Sequence, residues 1–145
     1  MSVTNGIPHM QQLAADLAND PDIDVVYLFG SNAMGRAGGV SDIDIGILLG
    51  DHVLREDYFS RRLNYIGRCG SALHTDKVDV IILNDAPPLL AYEVVKHRSI
   101  LLERNAEHRV AFEVDRINRY LDFKPILDMQ VMYTKNQLLN GTYFD

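Results

Sequence analysis

Apolar and polar positions alternate along this chain with two periods, three-to-four and two, and the period changes at turn-forming residues. Pro8 to Ala18 carries Met10, Leu13, Ala14 and Leu17, a helical spacing. Pro8 suits a first helical turn, and Asn19-Asp20-Pro21-Asp22 breaks the helix. Ile23 to Phe29 is rich in β-branched and aromatic residues and reads as a buried strand ending at Gly30. Ser31 to Met34 has room for one helical turn, and Arg36 to Ser41, with two glycines, reads as a loop.

Ser41 to Leu49 is the second predicted strand. Side chains alternate across a sheet, so Asp42, Asp44 and Gly46 share one face and Ile43, Ile45 and Ile47 the other. A helix follows from Leu54 to Arg68 or slightly beyond, with Leu54, Tyr58, Leu63 and Ile66 as its inward positions. Lys77 to Leu83 is the third strand. Its Val78, Val80 and Ile82 face one way and Asp79, Ile81 and Leu83 the other. Pro87-Pro88 opens a helix through about Lys96, and Ser99 to Leu102 is a short apolar strand. The tail from Arg104 is helical and is predicted to be interrupted at Pro125, because proline removes a ladder donor. The order is that of an α/β (α+β) domain, a small mixed sheet with helices packed on it and a helical tail over 104–145. At 145 residues the chain has the length of one domain, so residues 1–145 read as a single unit.

Within that frame one stretch stands out. Gly30-Ser31 ends an apolar strand, ten residues follow, and Asp42-Ile43-Asp44 opens the next. Gly30 lets backbone approach phosphates with no Cβ in the way. Ser31 offers a hydroxyl and a backbone N–H to a phosphate oxygen. Asp42 and Asp44, two apart on one strand, point at one site, and Asp79 on another strand is a lone charge inside an apolar run. Three clustered carboxylates repel unless a cation lies between them. Oxygen ligands of this kind suit Mg²⁺ or Mn²⁺ carrying a nucleoside triphosphate. Asp76, just upstream of Asp79, reads as a solvated turn residue.

The bulk numbers narrow the partners. Hydrophobic residues make up 47% and charged residues 23%, as in ordinary globular proteins. The formal net charge of −6 argues against non-specific duplex binding, so no direct nucleic-acid contact is expected. The single cysteine, Cys69, excludes an internal disulfide and reads as a small core or surface thiol. There is no basic segment followed by an apolar run at the start and no apolar stretch near the roughly 20 residues that span a bilayer, so a cytoplasmic protein is expected. His9, His52, His74, His97 and His108 are scattered without ligand spacing and suit surface or capping roles. Tyr120, Tyr133 and Tyr143, with Leu121, Ile126, Leu127, Met129 and Val131, leave two readings of the tail open, core packing or a partner-binding face.

The Gly-Ser pair, the spacer, the Asp-x-Asp and the distant third acidic residue resemble the nucleotidyltransferase superfamily of DNA polymerase β. The resemblance covers roughly Ile23 to Leu102. The ten-residue spacer and the small size look like the minimal nucleotidyltransferases, in particular the MntA-type antitoxins encoded beside HepT-type HEPN ribonuclease toxins. Ala33, Gly35 and Ser41 match the family spacer, whereas Asn32 and Met34 stand where arginines often occur and Arg36 is its one basic residue. The resemblance implies the polymerase β-like fold, with Asp42, Asp44 and Asp79 as metal-binding catalytic residues and Asp79 as the group that takes the acceptor proton. It also implies Gly30, Ser31 and Arg36 as nucleotide contacts, Mg²⁺ or Mn²⁺ as cofactor and ATP as substrate. The implied activity is AMP transfer to a tyrosine hydroxyl of a partner HEPN toxin. A small-molecule adenylyltransferase of the antibiotic-modifying kind and an antitoxin acting only by stoichiometric binding are the alternatives.

Overall fold

The computed structural model describes residues 9–30 and 43–140. Four strands form one mixed sheet. In chain order the elements are helix α1 (Met10–Ala18), strands β1 (Ile23–Phe29) and β2 (Ile43–Leu49), helix α2 (Tyr58–Leu73), strand β3 (Val78–Ile82), helix α3 (Pro88–His97), strand β4 (Ser99–Glu103) and helix α4 (Ala106–Asn140). The spatial order is β3-β2-β1-β4. β1 runs antiparallel to both neighbours, whereas β2 and β3 are parallel and need the crossover that α2 supplies.

The sheet is covered on both faces, which is why every residue of β1 is buried. On one side Val26, Leu28, Ile45, Ile47, Val80 and Ile82 pack against Leu13 and Leu17 of α1 and Tyr65, Cys69 and Leu73 of α2. On the other side Val25, Tyr27, Phe29, Leu48 and Leu83 pack against Ala91, Val94 and Val95 of α3 and Phe112 of α4. The expected alternation on β2 and β3 is therefore what the fold uses: isoleucines and valines toward α1 and α2, aspartates toward the opposite face. Burial pushes the Cys69 thiol up to about 12, so it is a core thiol.

Two helix expectations are corrected. The inward stripe of α2 is Tyr58, Tyr65, Ile66, Cys69 and Leu73, while Leu54 and Leu63 are exposed. The helix starts later and ends later than expected, after a short 3₁₀ turn at Arg55–Asp57, so Leu54 precedes it; Tyr58 and Ile66 do face inward as expected, and Leu63 falls off the stripe they share with Tyr65, Cys69 and Leu73. The tail is also not interrupted at Pro125: α4 is one helix of 35 residues that runs through it. Proline removes one hydrogen bond to the carbonyl four residues back, but Leu121 and Pro125 both face solvent, where water can take up that carbonyl. Among the described residues no helix is long and apolar enough to cross a membrane. His9 and His74 sit in the left-handed region at the start of α1 and the end of α2; the His74 backbone N–H caps α2 by donating to the Gly70 carbonyl, and the His9 side chain makes no capping hydrogen bond. The predicted start of α1 at Pro8, the turn at Ser31 to Met34 and the loop at Arg36 to Ser41 lie outside the described residues.

α4 is fastened to the sheet by a buried polar knot. The Tyr27 hydroxyl donates to Glu113 Oε2 at 2.8 Å, and Glu113 also accepts from Arg98 and Arg109, each at 3.1 Å. Burial, reinforced by the neighbouring carboxylate, raises the Tyr27 phenol well above its ordinary value, so it is a donor at every physiological pH. Tyr27→Phe is expected to cost about 1 kcal/mol, the net worth of one hydrogen bond, since Glu113 keeps its two arginines. Glu113→Ala leaves the buried hydroxyl and both guanidinium groups without their shared acceptor and is expected to cost about 3 kcal/mol or more. Urea denaturation of both variants checks this; equal losses would mean that the knot does not hold α4.

Candidate active site

The site is assembled where β1 ends and β2 and β3 begin. The parallel register pairs Asp44 directly with Asp79, and Gly46 with Ile81. Directly paired residues present their side chains on the same face, so two of the three expected carboxylates lie side by side on adjacent strands. The antiparallel register pairs Phe29 with Asp44, which brings Gly30 to the same place.

Gly30 has a reason to be glycine beyond a ligand. Its φ is +83°, and a Cβ there would stand 2.3 Å from Asp44 Oδ2 and 3.3 Å from its Cγ. The Asp44 carboxylate occupies the space that any side chain at position 30 would need. Gly46 repeats the device deeper in the sheet, where a Cβ would meet the Leu83 side chain at 3.2–3.3 Å. The glycines thus clear the face on which the carboxylates lie.

Asp79 is half-exposed and fixed by a residue that sequence reasoning missed. Arg62, on α2, donates from Nη2 to Asp79 Oδ1 at 2.9 Å and from Nε to the Val80 carbonyl at 2.6 Å. β3 is an edge strand, so the guanidinium reaches round its open side from the far face. The available signal was positional: Arg62 is four residues beyond Tyr58 and three before Tyr65, on the stripe that faces the sheet. Beside it a cleft of about 320 Å³ opens between the first turns of α2 and the segment after β3, lined by Tyr58, Phe59, Ile81, Asp85 and Pro87. Burial raises the Tyr58 phenol above its ordinary value, and Asp85 and Asp51 add to the shift.

Asp42, Ser31 and Arg36 lie outside the described residues, so the structure speaks to Gly30, Asp44 and Asp79. Among the described residues no group of three or more His, Cys, Asp or Glu side chains is arranged to hold a metal ion. The described donors, Asp44 and Asp79, are carboxylates in direct register, which suits a hard divalent cation in chemistry. Asp76 is exposed in the bend before β3, as expected for a turn residue. His52 and His108 are held by Asp22 and Asp24, each at 2.6 Å, toward the other end of β1.

Comparison with known proteins identifies the fold. The family model described as polymerase beta, nucleotidyltransferase, matches residues 11–107. No curated protein sequence matches the chain. Solved structures do. A chain of a toxin–antitoxin complex with AMP-PNP is 28% identical, with a TM-score of 0.65 over 88% of this chain and 98% of that one. A chain of the MntA–HepT toxin–antitoxin complex is 27% identical, with a TM-score of 0.58 over 84% and 98%. A chain from a complex of tri-AMPylated Shewanella oneidensis HEPN toxin with MNT antitoxin is 25% identical, with a TM-score of 0.56 over 85% and 98%. The chain belongs to the polymerase β nucleotidyltransferase family, and within it resembles MntA-type antitoxins.

Proposed function

We propose that this nucleotidyltransferase is an antitoxin that transfers AMP from ATP to a tyrosine hydroxyl of a cognate HEPN ribonuclease toxin. The observation that carries the reading is the Asp44–Asp79 pair on parallel strands beside Gly30, in a fold shared with chains of a toxin–antitoxin complex with AMP-PNP and of a complex of AMPylated toxin with antitoxin. Asp42, Asp44 and Asp79 would hold Mg²⁺ or Mn²⁺. A divalent ion at such a site offsets the charge of the triphosphate and the charge that develops on the leaving group.

The remaining work falls to the chain. Gly30 and Ser31 present backbone N–H and a hydroxyl to the phosphates, and Arg36 supplies the one cation of the spacer. The acceptor oxygen attacks the α-phosphorus, the bond to the β-phosphate oxygen breaks, and pyrophosphate leaves. Asp79 takes the phenolic proton; its half-exposed position at the sheet edge lets it meet a group arriving from outside. The reaction needs the tyrosine oxygen within about 3–3.5 Å of the phosphorus, so the toxin must dock over this end of the sheet.

The far half of α4 favours a protein acceptor. From Phe123 onward its apolar residues do not pack on the domain: Met129 is 71% exposed, Val131 66% and Met132 65%. Core packing is therefore not their role within this chain, whereas the near half of α4 does pack, with Tyr120 stacked on Tyr92 at 3.8 Å. A helix so apolar on its outside is characteristic of one covered in an assembly. The tail beyond the domain is the proposed toxin-binding surface, and the strand ends are where the acceptor hydroxyl arrives.

Three outcomes follow. Asp42→Asn combined with Asp44→Asn should abolish transfer of label from α-labelled ATP to the co-expressed toxin while thermal stability holds or rises, because charge repulsion is relieved; near wild-type labelling would refute the carboxylate assignment. ATP affinity measured by calorimetry should collapse on adding EDTA, given the net charge of −6 and a single spacer arginine; equal affinity with and without chelator would mean that the protein alone holds the phosphates. Val131→Asp with Leu138→Asp, both on the exposed tail, should leave stability within about 0.5 kcal/mol and ATP affinity unchanged, yet abolish co-purification of the toxin. Undiminished capture would move the docking surface off α4.

A further inference from the structure

We infer that Arg62 is a positioning residue for Asp79: it anchors that carboxylate to the edge of the sheet by a two-point grip and so fixes which oxygen the carboxylate offers to the site. The inference rests on the reading of Asp79 as a metal-binding and proton-accepting group.

The grip has two ends. Nε donates to the Val80 carbonyl at 2.6 Å, which ties the guanidinium to backbone that cannot move without disturbing β3. Nη2 donates to Asp79 Oδ1 at 2.9 Å. The rigid guanidinium plane couples the two contacts, so the orientation of the carboxylate is referred to the strand itself. One oxygen of Asp79 is engaged by the arginine, which disfavours bidentate ligation and leaves a single-oxygen ligand or base.

Energetics argue against a merely stabilising ion pair. The side chains of Arg62 and Asp79 are 39% and 44% exposed, a range in which solvent screens the attraction and a lone pair adds little to folding. A long arginine nevertheless reaches from α2 round an edge strand to hold one carboxylate, and that carboxylate is the one in register with Asp44. The neighbouring cleft, lined in part by Tyr58 and Phe59, opens beside the same guanidinium.

Simple electrostatics and positioning predict opposite signs. A cation next to a metal-binding carboxylate competes with the metal, so its removal should tighten Mn²⁺ binding. If Arg62 orients Asp79, its removal should loosen Mn²⁺ binding instead. The test is Mn²⁺ titration of the full chain with ATP, followed by electron paramagnetic resonance, for wild type, Arg62→Ala, Arg62→Lys and Asp44→Asn. Label transfer to the toxin is measured alongside, and melting curves confirm that each variant is folded. Arg62→Ala is expected to weaken Mn²⁺ binding and lower kcat by about 10–100-fold, the usual range for a residue that orients a ligand. KM for ATP at saturating Mn²⁺ should stay within about twofold, since Arg62 touches no substrate in this assignment. Arg62→Lys keeps the charge but has no fork to span both acceptors, so it should not restore either quantity. Tighter Mn²⁺ binding in Arg62→Ala, or full recovery in Arg62→Lys, overturns the inference. If Asp44→Asn binds Mn²⁺ like wild type, the metal reading of the site is itself wrong and the role of Arg62 falls with it.

Discussion

The parallel register of β2 and β3 is the constraint on which the site depends. It places Asp44 beside Asp79, and it is held in place by side chains with no chemistry of their own. Ile45, Ile47, Val80 and Ile82 fill the core beneath α1 and α2, and a slip of one residue would turn them to the other face and send the aspartates inward. Burying a carboxylate among those residues would cost several kcal/mol, so register is specified far more strongly by the apolar face than the polar face could manage through repelling charges. β1, buried on both sides and antiparallel to β2, then delivers Gly30 to the same corner.

Much of this was legible because period-two alternation and period-three-to-four helices leave separate marks. Each of the four strands falls within a residue or two of its sequence-based bounds, and Asp79 stood out as a charge in an apolar run. What was not legible involves contacts between elements. The inward face of α2 was half legible: Tyr58 and Ile66 face the core as expected, whereas Leu63 and Leu54 look like core residues but are exposed, and Tyr65 and Cys69 are the buried ones. Arg62 could not be found by composition, since an arginine on a helix is ordinarily solvated. The Asp24–His108 contact, 84 residues apart in sequence, has no local signal at all. The continuity of α4 through Pro125 was missed because the cost of a missing donor depends on whether water can reach the freed carbonyl, which only the structure decides.

α4 joins two environments in one helix. Its first half is tied to the sheet through Glu113, Arg109 and Phe112, and its second half leaves the domain with its apolar residues uncovered. A continuous helix of this kind carries the orientation of the sheet into the tail. The polar knot at Tyr27 sits on an inner strand, three residues before Gly30, so the anchor of α4 and the candidate site share one strand.

Position 30 makes the aspartates conditional. With 2.3 Å between a notional methyl group and Asp44 Oδ2, and φ at +83°, a single alanine would strain the backbone and push the carboxylate aside while leaving every charge in the sequence. A chain can therefore shift this carboxylate without losing an acidic residue. Tallying aspartates would not register that shift; the position that reports it is the glycine that closes β1.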